Sequence, residues 1–132
     1  MKSVTRAIIL DQEGKVLLGK RAGKIATGQY ALIGGKSDPE ESPEYAIIRK
    51  VKEEIGLEFT PIPYLEKIDS HSDPKEPWMV YYFTESAKGE LKLEPSEVEE
   101  VIFISEDDLD ELDIAFDHRE KLKEFFQSLI SE

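Results

Sequence analysis

The segment from Ser42 to Gly56, SPEYAIIRKVKEEIG, constrains the fold more than any other part of this chain, because both ends of a helix are written into it. Ser42 suits an N-cap, where its side-chain oxygen accepts one of the backbone N–H groups that a first helical turn leaves unpaired. Pro43 fits the first helical position, and Glu44 in the first turn complements the helix dipole. Gly56 tolerates the left-handed backbone that ends a helix. Between these signals, Ile47, Ile48, Val51 and Ile55 are expected on one inward face at about 100° per residue. Ala46, Lys50, Glu53 and Glu54 gather on the flank of that face, where two adjacent carboxylates leave the core and can meet a ligand. A helix with one apolar side needs another layer to cover it.

The remaining segments supply a sheet. Val4 to Leu10 is apolar and β-branched apart from Thr5 and Arg6, and Asp11 to Gly14 makes a turn before Val16-Leu17-Leu18, which reads as a β-hairpin. Tyr30 to Ile33 is a short apolar strand. Further strands are expected at Tyr64 to Ile68, Trp78 to Thr84 and Val98 to Ser105, with turns at Ser72-Asp73-Pro74 and Lys88-Gly89. Glu106 to Leu112 reads as an acidic helical turn. Asp117 is expected to cap a last helix with Leu122, Phe125, Phe126, Leu129 and Ile130 as its apolar stripe. No repeat, linker or low-complexity segment interrupts this order. The fold class is α/β in the α+β sense, a mixed β-sheet with helices packed on it, and residues 1–132 are expected to form a single domain.

Charge narrows the partners. With 29 acidic and 17 basic residues the formal net charge is −12, which repels a nucleic-acid backbone and leaves a small phosphorylated ligand as the better candidate. Bound cations can invert a local field of this kind. The sequence contains no cysteine, so thiol catalysis, disulfides and thiolate metal sites are excluded, and a cytoplasmic location is expected. No run approaches the ~20 apolar residues of a membrane helix, so no membrane association is expected.

The chemistry-bearing residues cluster around the capped helix. Carboxylates of Glu41, Glu53 and Glu54, with backbone carbonyls near Gly34 and Gly35, form the hard oxygen set that Mg²⁺ or Mn²⁺ prefers, and glycines permit close backbone approach. Lys20, Arg21 and Lys24 suit either phosphate contact or an exposed basic loop. Trp78, Tyr81, Tyr82 and Phe83 can stack on a base, although strand alternation sends about half of them into the core.

From Gly35 the chain reads glycine, five residues, Glu41, seven residues, Arg49, then Val51, Glu53, Glu54, Gly56 and Leu57. This spacing closely resembles the Nudix box, and Gly34-Gly35-Lys36 with Asp38-Pro39 looks like the usual lead into it. The flanking strands and the last helix follow the Nudix layout, so the resemblance covers essentially the whole chain. It implies an α/β/α sandwich and the hydrolysis of a small nucleoside-diphosphate derivative to a nucleoside monophosphate, by water attack on phosphorus with Mg²⁺ or Mn²⁺. By position, Glu53 and Glu54 match metal-binding glutamates, Gly35 a carbonyl ligand, and Glu41 an accessory one. Arg49 matches the arginine that orients the glutamates, four residues before Glu53 as a helical ion pair requires. The resemblance also raises a homodimer as a possibility.

One position departs from the pattern. Where the family places a glutamate after the arginine, this chain has Lys50, spaced to pair with Glu53 or Glu54 and to compete with a metal for them. Glu97, Glu99 and Glu100 lie where many Nudix enzymes place another ligand or base, and they also read as surface charge; Glu97 and Glu100 are taken as candidate ligands. Asp113 to Arg119 resembles a segment that precedes the last helix in some Nudix domains, including those that handle ADP-ribose-like compounds. Arg21, Tyr30, Lys36 and His118 are the candidate substrate contacts. A Nudix-fold binding or sensor module with little turnover is the alternative to an enzyme.

Overall fold

A computed structural model describes residues 2–69 and 77–130. Its strands, in chain order, are β1 (Ser3–Ile9), β2 (Val16–Arg21), β3 (Tyr30–Ala31), β4 (Ile33–Lys36), β5 (Glu58–Phe59), β6 (Ile62–Asp69), β7 (Trp78–Glu85), β8 (Ala87–Lys88) and β9 (Val98–Ile104). Helix α1 (Pro43–Ile55) lies between β4 and β5, and α2 (His118–Ile130) closes the chain. The strands form a mixed sheet in the order β4-β1-β7-β6, a second sheet β3-β2-β9, and a short pair β5-β8. β1 runs parallel to β7 and antiparallel to β4.

Alternation explains why β1 and β2 read as continuous apolar runs. Ile8, Val16 and Leu18 point into a core with Val80, Tyr82, Leu122, Phe125 and Phe126, which is the α2 side. Their neighbours Ala7, Ile9 and Leu17 point into a second core with Ile47, Val51, Ile55 and Phe83, which is the α1 side. Strands covered on both faces lose the polar alternation of a half-exposed sheet. The result is the expected α+β fold, with helices and sheet in layers.

Several local expectations need correction. The first two strands do not form a hairpin ladder: Asp11 and Gly14 make the turn, but only the bridge between Leu10 and Val16 joins the arms. β1 already has β4 on one edge and β7 on the other, so β2 pairs elsewhere. The single strand expected from Tyr30 to Ile33 splits between the two sheets at Leu32. Its N–H is donated to His118 Nδ1 at 3.1 Å instead of to a strand. Ile48 is 41% exposed, because it falls one residue's rotation off the 47, 51 and 55 row. Leu129 is likewise exposed, while Leu122, Phe125 and Phe126 are buried. The side chain of Ile130 and the turn at Ser72-Asp73-Pro74 lie outside the described residues. The acidic turn forms as a short 3₁₀ segment over Glu106–Asp108.

Both ends of α1 behave as their residues dictate. Ser42 Oγ accepts from Tyr45 N–H at 3.1 Å, and Gly56 adopts φ 78° while donating its N–H to Lys52. At the other junction, Gly34 has φ 152°, and a Cβ there would stand 2.0 Å from the carbonyl oxygen of Thr5 on the paired strand. Gly34→Ala is therefore expected to destabilise the fold by about 2 kcal/mol or more, because backbone faces backbone and neither side chain can move aside. Chemical denaturation of the variant checks this; an unchanged midpoint would refute it.

Candidate active site

The site is assembled where β4 leads into α1. Arg49, one turn into the helix from its first residues, reaches back over the loop and organises three acidic side chains. Its Nε and Nη2 donate to the two carboxylate oxygens of Glu41 at 2.7 and 2.9 Å, the paired geometry in which a guanidinium binds best. Its Nη1 donates to Glu53 at 3.1 and 3.2 Å, and Asp38 stands 3.6 Å from Nη2. Glu41 also accepts the Asp38 N–H at 2.8 Å, which fixes the loop to the helix. The hydrogen bond from Arg49, then that from Asp38, hold the Glu41 carboxyl down at about 2.

This shift has a checkable sign. A depressed carboxylate pKa adds stability that is complete above the ordinary value of 4.5 and fades as pH falls toward about 2. The carboxyl carbon of Glu41, followed by NMR, is expected to titrate well below those of exposed glutamates. Titration alongside them would show that the Arg49 clamp does not hold in solution.

Glu54 has a different environment. It is mostly buried, and its Oε2 has no hydrogen-bond partner. Burial pushes its pKa up to about 7, against the opposing pull of Lys50, while Glu97 pushes further up and Arg6 and Arg21 pull down. A buried carboxylate oxygen without a donor is costly unless a proton or a cation satisfies it. That orphaned oxygen fits a hard divalent cation, and the half-exposed Glu53 stands one residue before it. The Gly35 carbonyl, on the strand beside that helix, accepts from the buried Thr5 hydroxyl at 3.1 Å. Gly34 and Gly35 are not in a free loop; they are strand residues paired with Arg6 and Thr5.

The other candidates are placed as follows. Lys50 makes neither of the ion pairs its spacing suggests; its side chain lies along Gly35, whose added Cβ would meet Lys50 Cε at 2.9 Å and Nζ at 3.3 Å. Glu97 is exposed, with a carboxylate oxygen 4.0 Å from the position of a Cβ on Gly23. Glu100 accepts the Tyr30 hydroxyl at 2.8 Å and lies 3.7 Å from Lys20, so Glu100 and Tyr30 engage each other on the second sheet. Among the described residues, no group of three or more His, Asp or Glu side chains converges to hold a metal ion.

A cleft of about 290 Å³ opens beside this centre, lined by Arg6, Lys36, Trp78, Tyr82, Phe116 and His118 among others. Lys36 Nζ stands over the Trp78 ring at 5.1 Å. Arg6 and Arg21 stand over the Phe116 ring at 5.5 and 5.2 Å. His118 is buried at the start of α2; burial first, then Arg6 and Arg21, keep its pKa well below the usual imidazole range. Neutral at pH 7 and accepting the Leu32 N–H at Nδ1, it carries its proton on Nε2. Asp117, expected to cap α2, has its carboxylate on Lys67 at 3.1 Å.

The residue pattern alone assigns no role in the site to Arg6, Thr5 or Phe116. The signal for the first two was present: two polar residues in an otherwise apolar strand. Phe116 adopts φ 58°, rare for a large side chain, and is half-exposed; nothing in the residue pattern announced this.

The sequence and the fold have counterparts among known proteins. The NUDIX domain profile matches residues 2–125. The NAD-capped RNA hydrolase NudC of Pseudomonas putida (strain W619) is 32% identical over 103 residues, which are 77% of this chain and 36% of NudC. The chain thus spans about a third of the length of such relatives. The CTP pyrophosphohydrolase of Escherichia coli (strain K12) is 40% identical over 55 residues, 41% of each protein. The crystal structure of a MutT NUDIX hydrolase from Burkholderia pseudomallei superposes with a TM-score of 0.79 at 26% identity, covering 92% of this chain and 95% of that one.

Proposed function

The chain belongs to the NUDIX domain family, and from that premise we propose that it hydrolyses the pyrophosphate bond of a small nucleoside-diphosphate derivative, releasing a nucleoside monophosphate. The observation that carries this reading is the unpartnered, buried Oε2 of Glu54 beside the Arg49-held Glu53. Glu53, Glu54 and the Gly35 carbonyl are the groups that would hold Mg²⁺ or Mn²⁺, with Glu97 the next carboxylate in the field of Glu54. Such an ion supplies charge neutralisation for the diphosphate and acidifies the attacking water.

The protein's own contributions follow from its contacts. Arg49 pairs with Glu53 and locks the Glu41 loop against the helix, so the carboxylates meet a ligand already oriented. Arg21, Lys36 and Arg6 offer positive charge to phosphates. Trp78 and Phe116 offer flat surfaces to a base or sugar, and His118 presents a neutral ring whose remaining proton can be donated. The relatives named for NAD-capped RNA and CTP support a nucleotide with a phosphoric anhydride. A net charge of −12 favours the small nucleotide over a long polyanion.

The test is direct. The purified protein with Mg²⁺ or Mn²⁺ is offered ADP-ribose, NADH, dinucleoside polyphosphates and nucleoside triphosphates including CTP. Release of nucleoside monophosphate from at least one is expected. A second reading, a nucleotide-binding module with little turnover, is favoured by Lys50 and by the absence of a three-acid cluster among the described residues. It predicts a ligand-dependent rise in melting temperature with no product.

A further inference from the structure

Three cations lie within the electrostatic reach of Glu54, the carboxylate with an unpartnered buried oxygen. Lys50, midway along α1, lies against Gly35 of the strand that pairs with β1. Arg6 projects from β1 and Arg21 from the end of β2, and the ring of Phe116 gathers both guanidinium groups. Phe116, whose backbone is left-handed at φ 58°, sets that ring within reach of both. Lys50, Arg6 and Arg21 all act electrostatically on Glu54. Among the described residues none of the three forms an ion pair of its own with a carboxylate, although the chain has 29 acidic residues.

A positive excess near Glu54, inside a strongly acidic protein, is the reverse of a carboxylate-rich metal cage. Cations that lack a carboxylate partner in a partly buried site are stabilised by an anion that enters it. An ammonium acts there as a compact point charge, and guanidinium groups add directed donors. From this arrangement we propose that Lys50 is itself a phosphate ligand, a tethered cation that, with Arg6 and Arg21, binds the diphosphate directly and without a divalent metal. The inference rests on the reading of this site as a diphosphate site and adds the means by which this chain departs from a carboxylate-only centre.

The experiment is calorimetric titration of the full chain with inorganic pyrophosphate in excess EDTA. Wild type is expected to bind. Lys50→Met is expected to weaken that binding by about tenfold or more, and Lys50→Arg to keep it within about threefold. Melting temperatures of both variants, taken first, establish that they fold, and the arginine variant decides the matter if the methionine variant does not. Absence of metal-free binding by wild type, or equal binding by Lys50→Met, overturns the proposal. Its fate is separable from that of the hydrolase reading: metal-free, Lys50-dependent binding with no nucleotide turnover upholds the one and defeats the other. Turnover without metal-free binding does the opposite.

Discussion

Glu54→Gln is expected to abolish metal-dependent hydrolysis, by about 10³-fold or more, the size expected when a principal electrostatic group of a reaction centre is lost, and also to change how stability depends on pH. The two effects share one cause. Glu54 is held mostly out of water with one oxygen unpartnered, so its charged form is disfavoured until something positive arrives. Its pKa rises from the ordinary 4.5 to about 7, a shift worth about 3 kcal/mol. A raised carboxyl pKa contributes stability that is complete below 4.5 and lost as pH rises through about 7. In EDTA the wild type should therefore lose about 3 kcal/mol over that interval relative to Glu54→Gln, whose side chain stays neutral. Urea denaturation at a series of pH values measures the difference. Parallel stability curves for the two proteins would show that the site does not strain Glu54.

The second large effect concerns Lys50→Glu. This substitution restores a carboxylate at the centre of the α1 flank and removes the cation lying against Gly35. Mn²⁺ affinity is expected to rise by about tenfold or more, since an opposing charge is replaced by a third hard oxygen ligand. Metal-free pyrophosphate binding is expected to fall in the same variant, because the cation that would meet the phosphate is lost. Paramagnetic measurement of free Mn²⁺ gives the affinity without reference to turnover. Unchanged affinity would mean that Lys50 does not share the space of Glu54.

Much of this was legible in the residues because it rests on local rules. Ser42, Pro43 and Gly56 mark the ends of α1 through capping, and Arg49 finds Glu53 through the four-residue helical repeat. The box spacing announces the family because it places those groups at one end of one helix. What could not be read depends on partners distant in sequence. Gly34 and Gly35 look like loop residues until the pairing with Arg6 and Thr5 turns them into a strand. Tyr30 looks free until Glu100, on another strand, accepts its hydroxyl. Lys50 has the spacing to pair with either glutamate, but the backbone of Gly35 offers its stem a close-packed bed and draws it away. Ile48 shows the same limit within a single helix: an apolar residue on the edge of the stripe is exposed because no second element reaches it.

The central claim is that Glu53 and Glu54 hold a divalent cation against the diphosphate of a nucleotide. It is tested most directly by measuring Mn²⁺ binding in the presence of an α,β-methylene diphosphate analogue of ADP-ribose, which cannot be cleaved. The wild type is expected to bind Mn²⁺ in that ternary complex, and Glu53→Gln with Glu54→Gln to lose the affinity by about 100-fold or more. An unaltered affinity in the double variant would contradict the account.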